Sequence, residues 1–127
     1  MSKSPGHQKS PNHRIREEHL HRQLVVEVEG VVVADSSSVI KVDEDNHPAR
    51  YYFLRSAVTM EKLRPSDTTT ECPFKGTASY YELNLGERRL KDAVWEYADP
   101  YDEHRDLKGR LAFYDDKYPE IQVRLKV

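Results

Sequence analysis

Residues 24–35 read Leu24-Val25-Val26-Glu27-Val28-Glu29-Gly30-Val31-Val32-Val33-Ala34-Asp35, and this stretch decides the fold class. β-Branched residues crowd it on both sides of Glu29-Gly30. Such side chains lose rotamer freedom in a helix and pack well on a pleated surface. Glu29-Gly30 is a two-residue turn with glycine at its second position, where positive φ is cheap. The stretch therefore predicts a β-hairpin.

Working outward, Val39–Val42 is a third short strand. Asp43-Glu44-Asp45-Asn46-His47-Pro48 is a polar turn cluster, and Arg50–Leu54 is an aromatic strand. Further strands fall at 77–83, 92–97, 110–114 and 121–127, the last alternating apolar and charged residues. Ser56–Leu63 reads as a short helix with Ser56 as N-cap and Pro65 beyond its end. Residues 64–76, rich in Pro, Ser, Thr and Asp, read as a long irregular loop of the kind that often carries function. Residues 100–108 hold a helical turn ended by Gly109. The expected fold is mainly β: one small antiparallel barrel or sandwich of about eight short strands with one or two helical turns. Residues 1–11 hold no apolar side chain after Met1 and are expected as a disordered tail. Residues 12–127 form the single domain.

The chain has 127 residues, 37% hydrophobic and 33% charged, so an apolar core must sit beneath a densely ionic surface. Residues 1–23 carry five Lys/Arg against two acids, a surplus of three positive charges, while the whole chain is at −2. The rest is therefore acidic, which argues against nucleic acid as partner, since that needs a basic face. The lone Cys72 rules out an internal disulfide. No apolar run reaches bilayer length and the N-terminus lacks the apolar core of a secretory signal, so no membrane partner and a cytoplasmic location are expected.

Six segments occur in order: Asn12-His13-Arg14-Ile15, Val32–Ser36, Arg50–Val58, Cys72-Pro73-Phe74-Lys75-Gly76-Thr77-Ala78-Ser79-Tyr80-Tyr81, Val94–Pro100 and Leu111–Tyr114. Together they resemble the domain-of-unknown-function family 427, also filed under a nucleotidyltransferase-like name. The resemblance covers about residues 12–118, with the Cys-Pro-aromatic-Lys-Gly-Thr-Ala run its most specific part. It implies a compact, mainly β domain and carries no mechanism with it. Three positions depart from the family pattern: Arg14 for Pro, Leu54 for Pro and Ala57 for Asp. A family site built on that acid is absent here.

Cys72-Pro73-Phe74-Lys75 is the sharpest candidate for chemistry, because an ammonium near a thiol favours the reactive thiolate. A nucleophilic Cys72 also wants a base, for which His13, His47 and His104 are available. The plain alternative is a packed Cys72 with Lys75 pinning the loop. No metal site is expected: one Cys lacks a partner, His19 and His21 read as solvent-facing, and Asp43 and Asp45 belong to an acidic turn. Tyr52, Trp95 and Tyr97, joined by the cations Arg55 and Lys75, could line a pocket for a flat or anionic ligand. The alternative is that the aromatics only fill a core.

The leading reading is thus a domain that binds a small anionic ligand without a cofactor, with Arg55, Lys75, Tyr52, Trp95 and Tyr97 around it. An enzyme remains open beside it, of nucleotidyl- or phosphoryl-transfer type or using Cys72 and Lys75, as does a purely structural interaction module. The ligand reading expects Arg55 and Lys75 to converge on one cleft.

Overall fold

The computed structural model describes residues 2–126. After the short helix α1 (Pro5–Lys9), the strands are β1 (Ile15–Leu20), β2 (Leu24–Val28), β3 (Val31–Ser36), β4 (Val39–Glu44), β5 (Arg50–Phe53), β6 (Leu63–Cys72), β7 (Gly76–Leu85), β8 (Arg88–Tyr97), β9 (Leu111–Phe113) and β10 (Ile121–Leu125). The β2–β3 hairpin forms where its sequence places it. Val28 faces Val31 across the turn, and Glu29 and Gly30 both have positive φ, at 50° and 84°. That is the turn geometry whose twist matches paired strands.

The strands form two antiparallel sheets. One has seven strands in the order β1-β4-β5-β9-β8-β7-β6, and the other three in the order β10-β2-β3. The domain is an open sandwich, and the large sheet does not close into a barrel. Val26, Val28 and Val33 of the small sheet meet Phe53, Leu83, Val94 and Leu111 of the large one in the main core. The other face of the large sheet carries a second core of Ile40, Val42, Tyr52, Trp95, Tyr97 and Ala112, into which Leu107 packs from the 3₁₀ segment Asp102–Leu107. Because both faces are covered, Ala93 through Tyr97 on β8 are all buried.

Three segments differ from their sequence reading. The helix expected over 56–63 is instead two 3₁₀ turns, Arg55–Ala57 and Met60–Lys62. Between them Val58 bridges to Ala34 and the Thr59 N–H donates to the Val33 carbonyl. A segment of eight residues has too little helical cooperativity to resist such tertiary bonds. Residues 64–76, expected as a loop, are mostly strand β6, paired with β7 through a bulge between Pro65 and Thr69. Proline is tolerated at a sheet edge and at bulges, and an edge strand with a wet face needs no apolar run. Strand β1, at the opposite edge, likewise has a wet face and carries no apolar run.

Residues 2–11, expected to be disordered from their lack of apolar side chains, lie against the domain through polar contacts. Ser4 is fully buried, its hydroxyl donating to the Pro73 carbonyl at 2.8 Å and its N–H to Glu103 Oε1 at 2.9 Å. The Gly6 N–H donates to the Pro73 carbonyl at 2.7 Å. Met1 and Val127, included in the sequence reading of the tail and last strand, lie outside the described residues.

Phe53 is wholly buried between the sheets and meets Phe113 edge-on, with ring centroids 6.0 Å apart. Phe53→Ala is expected to destabilise the domain by about 3–5 kcal/mol, read from the shift in urea midpoint at constant slope.

Candidate functional site

Alternation along the strands of the large sheet builds one wall after another on its second face. Ile40, Val42 and Glu44 succeed each other on one side of β4, Arg50 and Tyr52 on β5, and Trp95 and Tyr97 on β8. With Tyr80, Tyr114, Cys72 and Lys75 these residues, the deeper Ile40 excepted, line a cavity of about 180 Å³ that is open to solvent. The sheet curls, so that the end of β4 meets the β6–β7 turn although three strands separate β4 from β7.

The turn is fixed in place by its backbone. Gly76 has φ of 122°, and a Cβ there would lie 3.4 Å from the Asp99 carbonyl oxygen. The Lys75 carbonyl accepts from the Tyr101 N–H at 2.9 Å. The Lys75 side chain, 6% exposed, turns inward and its Nζ donates to Glu44 Oε1 at 2.6 Å. Glu44 Oε2 takes His13 Nε2 at 2.9 Å and lies 3.7 Å from His47 Nδ1. Burial alone would push the Glu44 carboxyl up, but hydrogen bonds from Lys75 and His13, with the Lys75 charge, outweigh it and hold it below the ordinary glutamate range.

The aromatic walls are tied together as well. Trp95 Nε1–H donates to the Tyr52 hydroxyl at 3.1 Å, and the Trp95 and Tyr114 ring centroids lie 5.0 Å apart. The Arg50 guanidinium carbon is 5.1 Å from each of those two ring centroids, and Arg50 Nη1 donates to Asp116 Oδ1 at 2.7 Å. Burial pushes the Tyr52 and Tyr97 hydroxyls far above the ordinary tyrosine range, so both keep their protons.

The structure brings together Tyr52, Cys72, Lys75, Trp95 and Tyr97. It does not bring Arg55 to them. Arg55 stands on the opposite face of the sheet, where its Nη1 donates to Glu96 Oε1 at 3.2 Å and to the Tyr81 hydroxyl at 3.3 Å. The expectation that Arg55 and Lys75 share a cleft is therefore corrected: Arg55 follows β5 into a 3₁₀ turn packed near β3. Arg50, on the correct face of β5, is the second cation at the cavity. Glu44 belongs to the segment whose sequence reads as a polar turn, yet the alternation Ile40, Val42, Glu44 puts it on a buried face.

The other candidates have separate places. Of the three histidines, His13 and His47 flank Glu44, while His104 sits apart. Among the described residues no hydrogen bond reaches the Cys72 thiol. Asp43 faces Lys41 Nζ at 3.7 Å and Asp45 accepts from the Arg14 N–H at 2.9 Å. His19 faces Asp106 at 3.5 Å. Ala57 is not among the residues lining the cavity.

A family model described as "Domain of unknown function (DUF427)" matches residues 16–124 of the chain. No curated protein matches it.

Removing Lys75 leaves the Glu44 carboxylate without its nearest cation. Lys75→Met is expected to destabilise by about 3–5 kcal/mol, and the double variant Lys75→Met/Glu44→Leu to recover most of it. Because Glu44 is depressed in the folded state, its contribution is present above the ordinary glutamate value of about 4.3. It is lost as pH falls through the lower folded-state value. The urea midpoint of the wild type should fall more steeply below about pH 4.3 than that of the double variant.

Proposed function

The chain belongs to the family described as Domain of unknown function (DUF427), a description that specifies no reaction, and from the cavity itself we propose that it binds a small, flat ligand bearing an anionic, acceptor-rich edge such as a carboxylate or phosphate. The observation that carries this reading is the Lys75 ammonium. It is nearly buried and has three N–H donors, and among the described residues only Glu44 accepts from it. Buried donors seek acceptors, and the Tyr52 and Tyr97 hydroxyl protons likewise have none among the described residues. Donors in the same cavity as the rings of Trp95, Tyr80 and Tyr114 suit a planar ring carrying an acceptor edge. The volume of about 180 Å³ equals roughly six waters at about 30 Å³ each, which is the scale of a single ring.

A thiol-based reaction is a second reading, favoured by Cys72 standing in the same wall as Lys75. In the binding reading Cys72→Ser leaves affinity unchanged, whereas in the enzymatic one it abolishes turnover of the bound compound. The acidic body supports a small ligand over nucleic acid. A cytoplasmic location belongs to the same reading and is supported by the unpaired cysteine, at home in a reducing compartment.

Trp95 is the chain's one tryptophan and lines the cavity, so its emission reports occupancy. Titration with benzoate, nicotinate, nucleoside monophosphates and inorganic phosphate is expected to give a saturable change with at least one aromatic anion. Tyr97→Phe removes one donor and should weaken that binding about two- to tenfold, as loss of one hydrogen bond does. A panel without any saturable response, or equal affinity in Tyr97→Phe, would overturn the reading.

A further inference from the structure

The N-terminal segment crosses the Pro73–Phe74 turn and is held there at several points. Ser4 and Gly6 bond to the Pro73 carbonyl. A Cβ on Gly6 would lie 2.7 Å from the Pro73 oxygen and 2.8 Å from Phe74 Cδ1, so the fit depends on glycine. The His7 ring meets Phe74 edge-on with centroids 4.9 Å apart, and His13 stacks on the same phenyl ring at 4.4 Å. The Ser4 N–H also donates to Glu103 Oε1 at 2.9 Å and the Asp102 N–H to the Ser2 carbonyl at 3.0 Å, and a further tie is a contact between two imidazoles. His7 Nε2 and His104 Nε2 are 2.8 Å apart, while His104 Nδ1 lies 2.5 Å from Glu17 Oε2.

That contact has a proton requirement set by chemistry alone. Two ring nitrogens can share a hydrogen bond only if one carries the proton and the other offers a lone pair. With Nδ1 of His104 donating to Glu17, one proton between the Nε2 atoms makes the bond. A second sets N–H against N–H and cation against cation. We propose that residues 4–10 form a proton-released strap: near neutral pH the single proton shared by His7 and His104 holds the segment across the Pro73–Phe74 turn, and protonation of both rings lets it go.

The groups around the pair are Glu17 on β1, Glu103 in the 102–107 segment, and His13 and Glu44 at the cavity edge. Burial and the neighbouring His104 and His13 lower the His7 value, against the opposite pull of Glu103 and Glu44, and the net effect places it below ordinary histidine. The sign follows. A histidine whose value is lower when strapped than when free favours the strapped form fully above the free value of about 6.5. That preference weakens by up to about tenfold per pH unit as pH falls below it. Release uncovers the outer side of the Pro73–Phe74 turn that joins Cys72 to Lys75, one wall of the cavity, so the strap is placed to bear on that wall. The strap does not depend on what the cavity binds.

Hydrogen exchange by mass spectrometry, corrected for intrinsic rates, tests this at pH 7.5 and 5.5 with the β2–β3 amides as internal reference. In the wild type, protection over residues 5–10 and 73–76 is expected to fall at least about fivefold on acidification, within the one-proton limit of about tenfold per unit, while the reference holds. His7→Gln keeps a side chain that can donate or accept at either pH, so its protection should change less than about twofold. Gly6→Ala should show the released pattern already at pH 7.5. Equal protection of the wild type at both pH values, an equal fall in His7→Gln, or full protection in Gly6→Ala would each overturn the proposal.

Discussion

The ion pair between Lys75 and Glu44 is the constraint on which the second face of the molecule depends. Its partners are close in space and distant in the sheet, one on β4 and the other in the β6–β7 turn. The large sheet twists and curls as strands with right-handed twist must, and the pair spans the mouth of the curl where backbone pairing does not. A buried pair of this kind offsets its own desolvation only when the remaining polar groups are satisfied. Here His13 takes the second carboxylate oxygen of Glu44. The cavity is the space left inside the curl between this pair and the aromatic side chains of β5, β7 and β8.

The two faces of the large sheet divide the labour. On the face toward the small sheet the packing is apolar, and the charged cluster Arg55–Glu96–Tyr81 satisfies itself. Glu96 is nearly buried yet accepts from both Arg55 and the Tyr81 hydroxyl. On the other face, donors outnumber their acceptors: Lys75, Tyr52 and Tyr97 retain protons with no partner among the described residues. Polar groups that complete each other stabilise a core, whereas donors left over beside a cavity are what a ligand can meet.

The N-terminal segment adds a second layer to that face without adding an apolar core. It is anchored by hydroxyl, amide and imidazole contacts, and by the fit of Gly6 against Pro73 and Phe74. Contacts of this type are individually weak and depend on protonation, so the segment belongs to the low-stability end of the structure. The main core between the sheets, built from fully buried residues such as Val26, Phe53 and Leu83, belongs to the high end.

The sequence by itself determined the hairpin at Glu29-Gly30, the eight strands with apolar or aromatic runs and the mainly β class. These were legible because buried strands must show β-branched and alternating patterns, and because a two-residue turn needs residues that accept positive φ. The edge strands β1 and β6 were not legible, since an edge with a wet face imposes no such pattern. Tertiary structure alone decided that Arg50 and not Arg55 faces the cavity. Only the alternation within β5 and the 3₁₀ turn after it set which way each guanidinium points. It also decided that Glu44 meets Lys75, because that contact depends on the curl of a seven-stranded sheet, and no local pattern along the chain records how far a sheet curls.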